Sequence, residues 1–369
     1  MRTRILWTIV ATIGLAAGTC QRATASDVAD LSPPTQGAAD SGSAGDTAQG
    51  AGVFDSCHLG NACGCNACGC GDCCDCCCPG WCVRAGAVLL GRSTDPTRAL
   101  VKGPAPGIVN LPPTITLLDA SKFAFPLEAG PDIDLIYDNC NFGFEARYFS
   151  VGQFAASTGP NASGGTATLQ YTNLPTVTAN AVSASEYSQL ASVEVNVRKD
   201  VVPCFLTLLA GYRHIELGEQ IIGTTSFTGT NTSVFSTQAH NRLDGFQVGG
   251  EAVLWRPSCR FRVVGDAKVG IFGDATSNYG TTNIAGVGTG VATATGTNTA
   301  FMSEWGITAV WQITCQFSAR VGYEGLLVDG VALASQQIGV LNTTTGAATT
   351  VNTGTPIYQG LVVDFQYCW

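Results

Sequence analysis

Two residue types in this chain could carry chemistry, cysteine and histidine. Cys57, Cys63, Cys65, Cys68, Cys70, Cys73, Cys74, Cys76, Cys77, Cys78 and Cys82 fall within 26 residues, at C-x-C, C-x-x-C and C-C spacings. Thiolates so spaced can wrap soft metal ions. In an exported chain, which meets an oxidising compartment, the same thiols become disulfides. Neighbouring cysteines make poor local pairs, so links to other chains are a further outcome. Eleven is an odd number, so at least one thiol must look elsewhere for a partner. We read the segment as a disulfide or cross-linking tether. The pairing itself is not legible in the spacing. Histidine offers less. His58, His214 and His240 are the three in the chain. No H-E-x-x-H, G-x-S-x-G or P-loop accompanies them. The Gly-rich run 286–296 reads as a loop, with no strand–turn–helix context to cradle a phosphate. His214, beside Arg213 and Glu216, is the sole candidate for hydrolase chemistry, and it reads better as an interfacial polar residue. We assign no catalytic, cofactor or metal residues and expect a protein that is not an enzyme.

The elements that carry these residues begin with an export signal. Arg2 and Arg4 precede an apolar run from Ile5 to Gly18, and Ala23-Thr24-Ala25 offers a small-x-small cleavage site. Residues 1–25 are therefore expected to be a signal peptide. The residues before Cys20 make a poor lipobox. Residues 26–56, rich in Ala, Ser, Gly and Asp, have almost nothing to bury and read as a disordered spacer. The Cys-rich segment 57–80 follows.

Composition narrows the class of the remainder. Charged residues are 12% of the chain, glycines number 45, methionines 2, and the formal net charge is −9. Such a chain favours strands and polar links over helices. Its acidic balance argues against nucleic acid, whose phosphates require Lys/Arg stripes. No run of about 20 apolar residues follows the N-terminus, so a membrane role would need a closed barrel, in which every backbone polar group is satisfied between strands.

From Trp81 onward the pattern has period two. Val193, Val195 and Val197 alternate with Glu194, Asn196 and Arg198. Phe261, Val263, Ala267, Val269 and Ile271 alternate with Arg262, Asp266 and Lys268, and Leu361, Val363, Phe365, Tyr367 and Trp369 with Asp364, Gln366 and Cys368. A soluble sandwich and a membrane barrel share this alternation within one strand; connection lengths separate them. Ten strands are predicted, near 82–91, 132–138, 142–151, 187–198, 203–217, 241–255, 260–273, 301–313, 317–330 and 357–369. Short turns alternate with long links at 92–131, 152–186, 218–240, 274–300 and 331–356. That is the plan of an outer-membrane barrel with periplasmic turns. A further strand pair in 92–131 would make twelve. The expected fold is all-β: one antiparallel transmembrane β-barrel over 81–369 behind a disordered Cys-rich tail. Tyr187, Tyr212, Trp255, Trp305, Trp311 and Trp369 suit an aromatic girdle.

Several segments carry a family resemblance: GFEARYFS at 143–150, LLAGYRHIELGEQI at 208–221, NRLDGFQVGGEA at 241–252, DAKVGIFGDATSN at 266–278 and GYEGLLVDGVALASQQ at 322–337. With the closing aromatic strand they resemble the Legionella-type pore-forming outer-membrane proteins, a family expanded in planctomycete bacteria. The resemblance spans about 81–369 and implies an outer-membrane barrel, a pore and no catalytic residues. The Cys-rich tail lies outside it.

In such a barrel the polar faces line the lumen. Eight acids (Asp134, Glu145, Glu194, Glu251, Asp266, Glu304, Glu324 and Asp364) meet seven bases (Arg84, Arg147, Arg198, Arg213, Arg262, Lys268 and Arg320). This balance points to internal ion pairs and a narrow or blocked channel, because about eight strands leave room only for side chains. Cys140, Cys204, Cys259, Cys315 and Cys368 all fall at the turn end, as does the tail. Disulfides between tail and rim, or to other envelope proteins, are expected. The functional expectation is passive, porin-like transport of small solutes. The alternative is a surface-interaction or scaffold protein that uses the barrel as an anchor. Expected partners are outer-membrane lipids and the barrel assembly machinery, with no nucleic acid and no cofactor.

Overall fold

The computed structural model describes residues 80–103, 115–139, 142–169, 177–226, 232–258, 260–284, 286 and 288–369. The expected signal peptide, the spacer and all tail cysteines before Cys82 lie outside the described residues, as do Cys140 and Cys259. Twelve strands are present: β1 (Gly80–Arg92), β2 (Ala99–Gly103), β3 (Ile115–Asp119), β4 (Glu128–Asn139), β5 (Phe142–Leu169), β6 (Val177–Val202), β7 (Leu206–Ser226), β8 (Thr232–Ser258), β9 (Phe261–Ile284), β10 (Gly288–Gln312), β11 (Phe317–Asp329) and β12 (Ile357–Cys368).

Ten of them close a ring. β1 pairs with β4, β4 with β5, and each following strand with the next through β12, which returns to β1, all antiparallel. Closure leaves no strand edge in the ring unpaired, which is what lipid requires. The extra pair in 92–131 exists as β2 and β3, but it stands outside the ring, attached to the far end of β5.

Period-two alternation sets both faces. On β8, Phe246, Val248 and Leu254 point outward and Asn241, Leu243 and Gln247 point inward. Phe144, Val195, Val197, Leu208, Val269, Ile271, Phe301, Ile307, Val321, Val363 and Phe365 continue the exposed apolar belt, with Trp81, Trp255, Trp305, Trp311 and Trp369 among them. Exposed aromatics and aliphatics in a continuous ring belong against lipid.

The strands are longer than the sequence pattern indicated. The stretches read as long links at 152–186, 218–240 and 274–300 are largely strand, including most of the Gly-rich run at 286–296. β8, with 27 residues, is about 90 Å long at about 3.3 Å per residue. A tilted crossing needs only about 9–11 residues. The belt occupies the turn end of the wall, and beyond it the outward residues become polar: His214 and Glu216 on β7, Arg242 and Asp244 on β8, Ser277 on β9. The barrel therefore continues past the membrane. Among the former links, 331–356 stays irregular and contains a single helical turn, Ala334–Gln337.

Candidate functional site

The lumen is filled in three layers. The first, at belt level, is charged. Arg84, Asp134, Glu145, Glu194, Arg198, Arg213, Lys268, Glu304, Arg320, Glu324 and Asp364 are on inward faces and mostly buried, and Arg147, Glu251, Arg262 and Asp266 share those faces with partial exposure. Alternation on β6 and β9 aims them there. Arg213, fully buried, donates to Glu304 at 2.6 Å and to the Ser192 hydroxyl at 2.8 Å, and lies 3.5 Å from Glu194. Lys268 Nζ lies 2.5 Å from Glu194 and 3.4 Å from Glu304. Arg147 grips Asp132 with both Nε and Nη2, at 2.9 and 3.1 Å, and reaches Glu304 at 3.1 Å and Glu324 at 2.8 Å. Arg198 donates to Glu145, Arg84 to Asp134 at 3.2 Å, and Arg320 lies 3.2 Å from Asp364. Asp132, not singled out from the sequence, belongs to this network. The layer encloses a cavity of about 70 Å³, room for a few waters and no hydrated solute.

The second layer is apolar. Val88, Leu90, Phe149, Phe154, Leu190, Ile215, Leu217, Leu243, Phe272, Met302, Leu326 and Tyr358 turn inward and bury one another. Such a layer excludes water from the barrel axis.

The third layer is a plug at the mouth, made by segments that leave the wall and fold back. Leu100, Leu118, Ala120 and Phe123 from the β2–β3 region, and Ala332, Ala334 and Ile338 from the β11–β12 connection, pack against Val182, Ile221 and Phe235 of the wall. Gly223 makes space, since a Cβ there would sit 1.6 Å from the Phe235 ring. Asn241 holds the plug by its backbone: Nδ2 donates to Ala332 O at 2.8 Å and Oδ1 accepts from Ala332 N at 2.7 Å. Gln337 does the same to Val351, at 2.7 and 3.1 Å. Between plug and wall lies a buried ionic group. Arg92 donates to Asp95 at 2.7 Å and to Glu219, stands 3.8 Å from Glu186, and stacks on the Phe125 ring at 4.5 Å. Glu219 also accepts from Ala334 N at 3.0 Å. Burial is the largest influence on Glu186 and Glu219. It raises the first well above the ordinary carboxylate value and the second to about 7, against the opposing pull of Arg92. Arg92, Glu186 and Glu219 all fall in stretches read as links from sequence. The signal that would have found them is the alternation continuing through Val182, Ala184, Glu186 and Ser188.

The four described cysteines lie at the turn end. Cys82 and Cys368, directly opposite one another on β1 and β12, form a disulfide. Cys204 sits in the β6–β7 turn with φ 60°, and Cys315 in the β10–β11 turn. His214 is on the outer wall, its Nδ1 2.7 Å from Asp244, which also accepts from Tyr212 and lies 3.3 Å from Arg242 Nε. The wall separates this group from the lumen.

The chain was compared with known proteins. The model of the family described as "Putative beta barrel porin-7 (BBP7)" matches residues 102–365, more than two thirds of the chain. No curated protein matches. Among solved structures the chain is similar to the outer membrane protease OmpT from Escherichia coli, at 9% identity, covering 79% of this chain and 97% of that one with TM-score 0.42. It is also similar to the Pseudomonas putida toluene transporter TodX, at 8% identity, 78% and 89% coverage and TM-score 0.32. A Pseudomonas aeruginosa FadL homologue follows at 12% identity, 79% and 89% coverage and TM-score 0.24. Likenesses this distant carry no argument about activity. The family match, the closed ten-strand ring and the exposed apolar belt agree with one another, and the chain belongs to this β-barrel porin family as a porin-like β-barrel of the outer membrane.

Proposed function

We propose that the passive transport of this porin-like barrel is that of a narrow pore closed at rest by its own plug. One observation carries the reading. The segments that block the mouth are not strands of the ring, and the one from the β11–β12 connection is held to the wall by side-chain grips such as Asn241 on Ala332. A plug held in this way can leave while the wall, with every ring strand paired on both sides, remains. Flow is then limited by the apolar layer and by the charged layer beneath it, which has no strong preference for one sign of charge because its acids and bases neutralise each other.

The finer parts of the reading follow the same logic. The Cys-bearing turn end faces the periplasm and the plugged end faces outward. The aromatic final strand is the part that barrel assembly machinery would engage, and the lumen works in transport rather than catalysis. The resemblance to the Legionella-type pore-forming proteins, and the place of the signal peptide and tail, stand as proposals beside these. An envelope-scaffold role is the second reading. It is favoured by a lumen closed in three layers.

Single-channel conductance in a planar bilayer tests the choice. The intact protein should show rare, small steps, and a variant with residues 332–340 replaced by a short Gly/Ser link should show frequent, larger ones. A folded, inserted variant that stays silent would favour the scaffold.

A further inference from the structure

The ionic group between plug and wall has an unbalanced charge. Asp95, Glu186 and Glu219 bring three carboxylates, all buried, with ligand oxygens within 4.8 Å of one another. Arg92 supplies one positive charge, so the cluster carries an excess of two negatives only when all three carboxylates are ionised. The other groups facing the site are neutral: the Phe125 ring lies over Arg92, and Tyr358, buried beside it, pairs with Ser188 at 3.4 Å. Arg92 serves only part of the carboxylate surface. It donates to Asp95 and to Glu219, whose second oxygen takes the Ala334 N–H. Among the described residues no N–H or hydroxyl donor reaches either oxygen of Glu186, a side chain with no exposed surface, or Asp95 Oδ2. A carboxylate buried without a donor is costly, and partner donors or a bound ion are what normally stabilise one.

We propose that Asp95, Glu186 and Glu219 form a site for a divalent cation of the calcium type, and that the ion fastens the plug to the barrel wall. With the ion displacing the protons that the ion-free site keeps, the charge excess of two matches one such ion. The donors are all hard oxygens, and their arrangement around an arginine is irregular, which calcium tolerates and magnesium does not. Each ligand comes from a different part of the chain. Glu186 and Glu219 belong to β6 and β7, and Asp95 to the segment that leaves β1 for the mouth. Glu219 in turn holds Ala334 of the second plug segment. An ion bound by all three therefore ties both plug segments to the wall, in the part of the barrel beyond the apolar belt.

The test is calcium titration of the EDTA-stripped full-length protein in detergent, read by thermal midpoint and by the luminescence of Tb³⁺ as a calcium stand-in. Neither readout depends on conductance, so failure here leaves the pore reading intact. A saturable rise of several degrees and sensitised luminescence displaced by calcium are expected in the native protein and in E216Q, which alters an exposed outer-wall carboxylate. Both should be lost in E186Q and in D95N, so the site can be judged even if one of them does not fold. No shift with calcium in the native protein would overturn the proposal. So would an E186Q protein that still binds the ion, or a native response to magnesium equal to that to calcium.

Discussion

Asn241 and Ala332, 91 residues apart, exchange two hydrogen bonds, and this exchange pins the plug to β8. A side-chain amide carries both a donor and an acceptor, so it can satisfy both backbone atoms at once. Replacing Asn241 by Ala strands Ala332 N–H and C=O in an apolar mouth, at about 1–3 kcal/mol for each group. The wall should survive, because the pairing of β8 with β7 and β9 does not use that side chain. The expected outcome is faster protease cleavage within 331–356 and a higher open probability in bilayers. Unchanged cleavage and conductance would show that the grip does not hold the plug.

The disulfide between Cys82 and Cys368 closes the seam where the first and last ring strands meet, 286 residues apart in sequence. Cross-linking so distant a pair restricts the unfolded chain strongly, by about 5–6 kcal/mol on the loop-entropy account. C82S, or reduction of the native protein, is expected to lower the temperature at which the folded band is lost on a gel. The ring should still form, since the strand pairing does not depend on the bond.

Arg213 is the centre of the charged layer, fully buried and within 3.5 Å of both Glu304 and Glu194. Its replacement by Ala leaves those carboxylates short of a cation, a change that costs about 3–5 kcal/mol when a buried pair is broken. R213M combined with E304Q should recover much of the loss, because charge and partner leave together. Urea unfolding of the native protein and the two variants measures this. A single variant as stable as the native protein would argue against the network.

The plug should respond to pH. Glu219 is held up at about 7 from an ordinary 4.5, and Glu186 is raised as well, both by burial. In the window between those values the folded protein keeps a proton that the unfolded chain gives up. Stability from this source is therefore complete below about pH 4.5 and is lost as the pH rises through about 7. With divalent ions chelated, the thermal midpoint of the plug should fall between pH 5 and pH 8, and E186Q should flatten the fall. A midpoint that rises across that range would contradict the assignment.

Val248 and Val269 face each other on adjacent strands of the exposed belt. Val248→Arg is expected to cost up to about 2–4 kcal/mol in a bilayer, the value for a midplane arginine. The same change should be nearly neutral on the outer wall beyond the belt, for example at Ser277. Comparing insertion of the two variants into lipid vesicles separates lipid-facing from water-facing wall.

The alternation of residue types, read along the chain, was enough to place ten ring strands and the two faces of each. Each of these follows from a local rule: a strand sends successive side chains to opposite faces, and lipid accepts one kind while the lumen accepts the other. Strand length was not legible beyond the belt. There the outward face meets water and the inward face meets the plug and small neighbours, so the Thr, Gly, Ser and Ala of 152–186 and 274–300 alternate only weakly. Those stretches become strand because a hairpin partner supplies the hydrogen bonds, a contribution that no single segment reveals. The disulfide partner of Cys82, the three layers and the plug were decided by the tertiary structure. Cys82 meets Cys368 only when the ring closes. Leu217, Phe272 and Tyr358 become an apolar seal only because curvature brings their inward faces together. Arg92, Asp95, Glu186 and Glu219 form one site only because two surface segments fold back into the mouth and exclude the water that would otherwise keep those charges apart.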